Sequence, residues 1–302
     1  MRAQQLSAFG LAIESDFDLP VSEPAGPGRN LALRLADQDV LRALADEPRV
    51  LRYLHVLDNC PYAMLEGPDG DVLVSYGHRA TFHLSADGSV LRCAPTERDD
   101  PVWQRVLLDT VLWTVSLLRG YEQLHASAVR TTAGVVAFIA ASGGGKTSLA
   151  AELLRRDAVL YTDDILALEP RDGGVVAHCG PPLMNLPRPL VPELGGEAEV
   201  LADFGEEQWV RIRRPLLQAE PLRAVVIMTR AAGLATRCTR LESPALALLA
   251  HVVGFPYLER ERTRFELYAS LASATPVLEL TADLSVPTAE LADLVAERVS
   301  SL

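Results

Sequence analysis

The stretch Val135–Asp164 reads VVAFIAASGGGKTSLAAELLRRDAVLYTDD, and it decides how the second half of the chain folds. The apolar run Val135–Ala140 predicts a buried strand, and a glycine-rich turn over Ser142–Gly145 follows it. Leucines at helical spacing then predict a helix, and Ala158–Tyr161 predicts a second strand that leads to a pair of aspartates. A phosphate-binding P-loop typically has this order of elements: a strand, a glycine loop, a Lys-Thr pair and a helix.

The residue types in the loop suit an anion. Consecutive glycines can turn their backbone N–H groups inward, because glycine adopts positive φ angles without steric cost. Together with the start of the following helix, they predict a concave phosphate site. The ammonium of Lys146 suits the β- and γ-phosphates of ATP, and the hydroxyl of Thr147 suits Mg²⁺. The predicted nucleotide-binding residues are Ser142, Gly143, Gly144, Gly145, Lys146, Thr147 and Ser148.

Two further features of the sequence bear on this loop. Lys146 is the only lysine among the 28 basic residues. It lies at the position where a P-loop places a compact ammonium among phosphates, a role in which arginine is not equivalent. The strict P-loop pattern has glycine six residues before the lysine, where this chain has Ala140. Because alanine does not adopt positive φ cheaply, we expect the exit from the strand to be shaped differently.

The paired acids Asp163 and Asp164 follow Lys146 by 17 and 18 residues. We expect their strand to neighbour the P-loop strand and to deliver both carboxylates to the phosphate site. Two adjacent acids can divide the labour, since one can coordinate Mg²⁺ while the other accepts a proton from an attacking hydroxyl. The alternative is a solvated Asp-Asp turn or a helix cap.

His125 stands before a strand and a turn, Thr131–Gly134, that lead into the P-loop strand. Hairpin pairing across this turn would keep His125 near the end of the central sheet, where ligands of α/β folds bind. A structural histidine at the start of a strand is the alternative.

The first hundred residues predict a small, mostly antiparallel β domain. Short apolar or alternating runs recur between turn signals, and Asp87-Gly88 predicts a two-residue hairpin. The runs are Leu6–Ile13, Leu31–Leu35, Val50–Val56, Tyr62–Glu66, Val72–Tyr76, Ala80–Leu84 and Val90–Cys93, with a short helix over Asp37–Asp46. Pro101 then opens an apolar helix that runs to Gly120. We therefore predict a β-rich domain over 1–100, a buried bridging helix over 101–120 and an α/β domain over 121–302.

Beyond the acids the chain predicts a hairpin from Ile165–Glu169 through Asp172–Gly174 to Val175–Cys179. Leu183–Arg214 is rich in proline, glycine and acids, which favours a loop-bearing substrate region. This region contains three arginines close together, Arg211, Arg213 and Arg214. They either bind a phosphate or a peptide carboxylate, or they belong to a solvated basic strand. The remaining predicted elements are strands over Arg223–Thr229 and Val277–Leu280 and helices over Ser243–Val253, Glu259–Ser273 and Thr288–Ser300.

Composition limits the classes of function. A net charge of −12 and a pI near 5.0 argue against a broad nucleic-acid surface. The four scattered cysteines form no C-x-x-C pair, which fits a reducing compartment. Met1–Ser15 lacks a signal-peptide pattern and no apolar stretch is long enough for a bilayer, so we expect a cytoplasmic protein without a membrane partner. The histidines His55, His78 and His83 lie at strand-like positions and fit cross-strand packing better than a metal site.

The positions around the loop resemble the HPr kinase/phosphorylase superfamily, which shares its P-loop architecture with phosphoenolpyruvate carboxykinase. The resemblance rests on His125, on AASGGGKT at 140–147 and on YTDD at 161–164, and it is specific over about residues 121–170. The sequence LHASAV, the β-rich first part and the length are most similar to stand-alone HPr-kinase-like enzymes of peptide-modification clusters, including lasso-peptide kinases.

This resemblance implies a fold and roles for single residues. It implies an α/β P-loop kinase core, with Lys146 and Thr147 on the phosphates and Mg²⁺. It also implies Asp163 as the general base paired with His125, and Asp164 as a Mg²⁺ ligand. The chain departs from the family at 178–188, where the arginine-glycine loop that engages HPr has no counterpart. That departure argues against HPr as substrate and against a phosphorylase reaction.

The sequence therefore predicts an ATP- and Mg²⁺-dependent kinase that phosphorylates a hydroxyl, that of serine by the resemblance, on a peptide or small protein. One alternative is a small-molecule kinase, acting on free serine or a metabolite, or a carboxykinase-like enzyme. The other is a non-catalytic nucleotide-sensing module, although a sensor has little need of a second aspartate. The resemblance is also compatible with a homo-oligomer.

Overall fold

The chain divides into two compact units. The structure, a computed structural model, describes residues 4–24, 26–57, 59–171, 174–215, 217–254, 258 and 260–302. The first unit is Met1–Tyr121 with Phe255–Glu259, and the second is Glu122–Gly254 with Arg260–Leu302. Both units combine sheets with helices, so the chain is a mixed α/β protein.

One eight-stranded sheet forms most of the first unit. Its strands are β1 (Gln4–Ala8), β2 (Leu11–Ser15), β3 (Arg29–Leu35), β4 (Val50–Leu57), β5 (Cys60–Glu66), β6 (Val72–Tyr76), β7 (Ala80–Leu84) and β8 (Val90–Pro95). Their spatial order is β1-β2-β3-β8-β7-β6-β5-β4. The β2–β3 and β3–β8 pairs are parallel and the other pairs are antiparallel, as predicted for a mostly antiparallel sheet.

The turns of this sheet have local causes. Gly88 adopts a φ of +68°, and the Asp87 carboxylate accepts hydrogen bonds from Ser85 and Ser89. The β7–β8 hairpin is therefore confirmed, but its loop spans residues 85–89 and is longer than the predicted two residues. The prediction of one continuous run over Leu6–Ile13 is wrong. Phe9 and Gly10 turn the chain there with φ angles of +54° and +79°, and β1 and β2 pair across the turn.

The helices of the first unit are α1 (Gln38–Ala45), α2 (Pro101–Val106) and α3 (Leu112–Leu118), with a π-helical turn over Leu107–Val111 that joins α2 to α3. The Asp100 carboxylate caps α2 by accepting from Val102 N at 3.0 Å, and Pro101 fits the first turn. Most of the apolar residues of this long helix are buried. Its predicted bridging position between two domains stays a prediction.

The described residues of the second unit form a ten-stranded sheet, a three-stranded sheet, four α-helices and two short 3-10 helices. The strands are β9 (Glu122–His125), β10 (Ser127–Thr131), β11 (Gly134–Ile139), β12 (Val159–Thr162), β13 (Ile165–Arg171), β14 (Gly174–His178), β15 (Leu183–Pro187), β16 (Ala198–Asp203), β17 (Glu207–Ile212), β18 (Glu220–Arg230), β19 (Arg237–Arg240), β20 (Val252–Val253) and β21 (Val277–Ala282). The helices are α4 (Lys146–Leu154), α5 (Pro244–Leu249), α6 (Glu261–Ala274) and α7 (Thr288–Ser300).

The large sheet has the order β12-β10-β11-β18-β14-β13-β9-β20, with β21 paired to β18 and β19 paired to β21. Alternate residues of β11 face opposite sides of this sheet. Val136 and Phe138 pack in one core with α4 and α7, whereas Val135, Ala137 and Ile139 pack in another core with α5 and α6. The P-loop strand is therefore buried on both faces, which explains its continuous apolar sequence.

The predicted neighbour of the P-loop strand requires a correction. β12, which leads to Asp163 and Asp164, does not pair with β11 but with β10. The short turn between β10 and β11 forms the predicted hairpin, and this hairpin already occupies that side of β11. Because β10 is antiparallel to both neighbours, β12 still runs parallel to β11 and ends at the same edge of the sheet.

Other predictions for the second unit have mixed outcomes. The hairpin of β13 and β14 is confirmed, although Asp172 and Gly173 lie outside the described residues. The predicted loop region 183–214 instead forms the antiparallel sheet β15-β17-β16. The helix predicted over Ser243–Val253 ends at Leu249, Ser243 makes no side-chain cap hydrogen bond, and β19 was not predicted. No helix in the described part of the chain is long and apolar enough to cross a membrane.

The arginine cluster predicted for 211–214 is divided in the structure. Arg214 donates from Nη1 to the carbonyls of Leu160 and Tyr161, at 3.0 and 3.1 Å, and from Nη2 to the carbonyl of Gly180 at 2.8 Å. Arg211 forms an ion pair with Glu199, and Arg213 is exposed. Arg214 is therefore a structural donor that ties β12 to the segment before β15.

We expect the substitution Arg214→Gln to lower the free energy of unfolding by about 1–3 kcal/mol, because it removes the donors of these three carbonyls. Urea denaturation would measure the change. Arg213→Gln is the matched control, and an exposed site should change stability by less than about 0.5 kcal/mol. Equal stability of the two variants would contradict the structural role of Arg214.

Candidate active site at the phosphate-binding loop

The loop between β11 and α4 has the shape of an anion cradle. α4 begins at Lys146, and its N-cap residue Gly145 has a left-handed φ of +92°. Gly143 also has a positive φ, of +71°. The N-cap glycine has no side chain that could cap the helix, so the N–H groups of its first turn can bind a ligand. The two positive φ angles fall on glycines and not on Ala140.

Gly144 is required for a different reason, because its surroundings leave no room for a side chain. A Cβ atom at Gly144 would lie 2.7 Å from the Cβ of Ala140 and 2.8 Å from the carbonyl oxygen of Ala141. The loop is also closed by a hydrogen bond from Gly144 N to that same carbonyl, at 2.9 Å. The alanine that replaces the first glycine of the strict pattern therefore packs directly against a glycine that cannot be replaced without moving backbone. Ser142 lies exposed in this loop, and Ser148 lies partly buried in the first turn of α4.

Lys146 is buried, with 7% of its surface exposed, and its ammonium bonds to two groups within the described part of the chain. Nζ lies 2.9 Å from Nε2 of His125 and 3.3 Å from the carbonyl oxygen of Ala140. Burial lowers the pKa of Lys146, while the nearby Asp164 and Asp163 act in the opposite direction. An ammonium has three donors, so this arrangement leaves one for a phosphate oxygen.

The tautomer of His125 follows from these contacts. Lys146 can only donate, so Nε2 of His125 is assigned as the acceptor and Nδ1 carries the proton. Nδ1 lies 3.2 Å from Oδ1 of Asp164, which is within ion-pair distance of that carboxylate. Burial lowers the pKa of His125, the carboxylate of Asp164 raises it, and the ammonium of Lys146 lowers it further. A neutral imidazole thus connects Lys146 to Asp164.

Asp163 belongs to a second group of contacts. Its Oδ1 accepts from the hydroxyl of Ser127 at 2.6 Å and from the hydroxyl of Thr147 at 3.1 Å. Its Oδ2 accepts from the backbone N of Asn185 at 3.4 Å. Burial raises the pKa of Asp163 to about 6, and the charge of Asp164 adds to this effect while the hydrogen bonds oppose it. The Asp163 carboxylate therefore sits beside the helix start with its oxygens already bonded.

Asp164 occupies the turn between β12 and β13. It has a left-handed φ of +66°, which is uncommon for a residue other than glycine and best tolerated by aspartate and asparagine. Its carbonyl oxygen accepts from Ala126 N at 2.9 Å, which ties the turn to the end of β9. The side chain is 60% exposed, so the second carboxylate oxygen is accessible from solvent.

The predicted site residues therefore come together, but in different pairs. We predicted that Asp163 pairs with His125 and that Asp164 joins Thr147 at the metal. The contacts are the reverse, because the left-handed turn directs Asp164 toward β9 and leaves Asp163 facing α4. The roles in catalysis and metal binding stay predictions.

Sequence reasoning missed two members of the site. Ser127 is completely buried and lies two residues after His125, so its strand position was the available signal. Asn185 contributes a backbone N–H, for which the sequence carries no signal. His251 also lies close, since its carbonyl oxygen accepts from His125 N at 3.1 Å.

The oxygen atoms at the start of α4 are suitable ligands for Mg²⁺. Thr147 and Asp163 present a hydroxyl and a carboxylate, the hard ligands that this ion prefers, and Mg²⁺ at nucleotide sites completes its shell with water and phosphate oxygens. The described residues contain no group of three or more histidine, cysteine or acidic side chains that could hold a metal. In the first unit, His83 instead bonds to Asp71 and Arg92, which fits the predicted cross-strand packing.

Comparison with known proteins gives distant similarity to solved structures alone. No protein-family model matches the chain, and no curated protein matches it. Among solved structures, the chain is similar to the HPr(Ser) kinase/phosphatase from Coxiella burnetii, with 12% identity and a TM-score of 0.33 over 59% of this chain and 97% of that chain. At this identity and TM-score, the similarity assigns neither a family nor an activity to the chain.

The raised pKa of Asp163 makes stability depend on pH. Its carboxyl titrates near 6 in the folded protein, against 3.8 for an unperturbed aspartate side chain. Between these two pH values the folded state binds more protons than the unfolded state, so the free energy of unfolding falls as pH rises through about 6. We expect the protein to lose about 1–3 kcal/mol relative to Asp163→Asn between about pH 4 and about pH 7.5.

Urea denaturation of both proteins across this pH range, in a chelator that removes divalent cations, would measure the difference. Asp157→Asn, at an exposed acid in the turn after α4, is the control and should follow the unmodified protein. Parallel curves for the unmodified protein and Asp163→Asn would contradict the raised pKa.

Proposed function

We propose that this chain is a phosphotransferase that uses ATP and Mg²⁺ to phosphorylate a hydroxyl group. The observation that carries the proposal is the convergence of two groups at the start of α4. One is the series Lys146–His125–Asp164, and the other is the pair Thr147–Asp163. Both groups adjoin a glycine loop and a helix start without a side-chain cap, which are features that bind phosphate in phosphotransferases.

The residues of the chain act as follows in this proposal. The loop N–H groups and the free donor of Lys146 bind the β- and γ-phosphates and orient the γ-phosphate toward the acids. Thr147 and Asp163 hold Mg²⁺, and the chemistry that the ion supplies when bound is neutralisation of charge on the phosphate oxygens. Ser127 and Asn185 keep the Asp163 carboxylate in place by their hydrogen bonds.

We assign the general base to Asp164 and not to Asp163. Asp164 has an exposed carboxylate oxygen that an acceptor hydroxyl can reach, whereas Asp163 is already bonded by three donors. Nδ1 of His125 lies 3.2 Å from Oδ1 of Asp164, which leaves Oδ2 as the oxygen that we assign to the acceptor hydroxyl. This assignment reverses the roles that the family resemblance implies.

The acceptor that we propose is a serine of a peptide or small protein. The exposure of Asp164 supports an acceptor that approaches from solvent, since a small metabolite is usually enclosed in a concave pocket. The resemblance of the sequence LHASAV, the β-rich first part and the length to stand-alone HPr-kinase-like peptide-modifying enzymes supports the same class. Free serine, a metabolite acceptor and a non-catalytic nucleotide sensor are the competing outcomes.

A phosphate-transfer assay tests the proposal directly. The chain would be incubated with γ-labelled ATP, Mg²⁺ and either a serine-containing peptide library or free serine, and the products separated by mass spectrometry. We expect label on peptide, and we expect Lys146→Ala to weaken ATP binding and transfer together, by at least about 100-fold in transfer, because the loop loses its only ammonium.

Arg155→Ala, an exposed arginine on the surface near the end of α4, is the matched control and should retain transfer. Label on free serine alone would favour the small-molecule kinase. ATP binding that is weakened by Lys146→Ala, without any phosphate transfer by the unmodified protein, would favour the nucleotide sensor. ATP affinity that is unchanged by Lys146→Ala would exclude the P-loop assignment.

The division of labour between the acids has its own test. We expect Asp164→Asn to lower kcat by about 100- to 10,000-fold, as for loss of a general base, without changing the Mg²⁺ concentration for half-maximal activity. Asp163→Asn should raise that Mg²⁺ concentration by about 10-fold or more, because a metal-holding group is lost. Activity measured across Mg²⁺ concentrations separates the two effects, and the opposite pattern would restore the roles implied by the resemblance.

A further inference from the structure

Arg230 lies beside the loop on the side opposite the acids. It is the last residue of β18, which runs parallel to β11 with Ile227 opposite Ile139. The chain directions therefore bring Arg230 to the same edge of the sheet as the glycine loop. No motif in the sequence marks it, since it is one of 27 arginines.

The guanidinium of Arg230 is held in a fixed orientation. Nη2 donates to the carbonyl oxygens of Leu284 at 3.0 Å and Val286 at 2.7 Å, in the segment between β21 and α7. Nη1 lies 3.9 Å from the position that a Cβ atom on Gly145 would occupy. The planar group thus uses one nitrogen to hold the backbone and turns the other toward the N-cap of α4.

The charge of this guanidinium is not cancelled by a direct partner. Both of its hydrogen bonds go to backbone carbonyls, and among the described residues no carboxylate forms an ion pair with it. Its Nε is buried and has no hydrogen-bond partner within the described part of the chain. The pKa of Asp283 is lowered chiefly by hydrogen bonds from Ser285 and from the N–H of Gly233, and only to a smaller extent by the charge of Arg230.

The sheet order gives the direction of a bound polyphosphate. β10 and β12 lie on one side of β11 and lead to Asp163 and Asp164, while β18 and β21 lie on the other side. In the proposed reaction the transferred phosphate must lie next to the acids. The phosphates that remain with the nucleoside then extend across the start of α4 toward the carboxyl end of β18, where Arg230 lies.

We propose that Arg230 binds the non-transferred phosphates of a nucleoside triphosphate and so fixes which end of the polyphosphate faces the acids. The inference rests on the proposed function and adds the orientation of the donor. A guanidinium suits phosphate oxygens geometrically, and a fixed one binds them with little loss of side-chain entropy. Arg230 and Lys146 then hold the two ends of the phosphate chain from opposite sides of the loop.

Calorimetric binding of ADP and of a non-hydrolysable ATP analogue tests this placement. We expect Arg230→Gln to weaken both ligands by the same factor, about 10- to 100-fold, since a lost hydrogen bond to a charged group is of that size. Arg237→Gln, at an exposed arginine on β19 in the same sheet, is the matched control and should bind like the unmodified protein.

Each other outcome has a separate meaning. A loss confined to the ATP analogue would overturn the inference, because it would place Arg230 on the transferred phosphate. Unchanged affinity with a lower thermal midpoint would also overturn it, because Arg230 would then only hold the 284–286 backbone. If ADP binding is absent in the unmodified protein, or is insensitive to Lys146→Ala, the proposed function itself fails.

Arg230→Lys keeps the inference testable if Arg230→Gln does not fold. A single ammonium cannot bond both carbonyls and also reach past Gly145, so we expect a folded Arg230→Lys to bind ADP less tightly, by about 3- to 10-fold. ADP affinity equal to that of the unmodified protein in this variant would overturn the inference.

Discussion

A buried ammonium must keep hydrogen-bond partners, and Lys146 finds them in the imidazole of His125 and the carbonyl of Ala140. This contact joins three parts of the chain that are distant in sequence. The end of β9 supplies His125, the end of β11 supplies Ala140, and the start of α4 supplies the lysine itself. Through Nδ1 of His125 the same contact reaches Asp164 after β12. The positions of Lys146, His125 and Asp164 therefore depend on one short series of polar contacts.

The sheet topology makes this convergence possible. β10 lies between β11 and β12 and is antiparallel to both. β11 and β12 therefore run in the same direction and end at the same edge of the sheet. The left-handed Asp164 then separates two neighbouring acids that would otherwise compete for one position. One carboxylate faces the hydroxyls of Ser127 and Thr147, and the other faces His125. The left-handed φ angle of Asp164 thus gives the carboxylates of Asp163 and Asp164 different electrostatic environments.

Much of the strand and helix pattern could be predicted from the sequence, because the signals are local. The continuous apolar run before the glycines, the leucine spacing of α4 and the Asp87-Gly88 turn each act within a few residues. The pairing of acids with His125 and Thr147 could not be predicted, since it depends on the sign of φ at Asp164. The insertion of β10 beside β12 and the approach of Arg230 to Gly145 depend on tertiary order, which local spacing does not encode. The Asn185 contact uses a backbone N–H and has no residue-type signal at all.

The burial of Lys146 also has a practical consequence for chemistry on this protein. It is the only lysine in the sequence, and burial lowers its pKa, so its ε-amine is deprotonated more readily than that of an exposed lysine. Acylating reagents react with the neutral amine, and every other basic side chain is an arginine or a histidine. Lys146 is therefore the only side-chain amine that such a reagent can modify, and its reaction would report on access to this one loop.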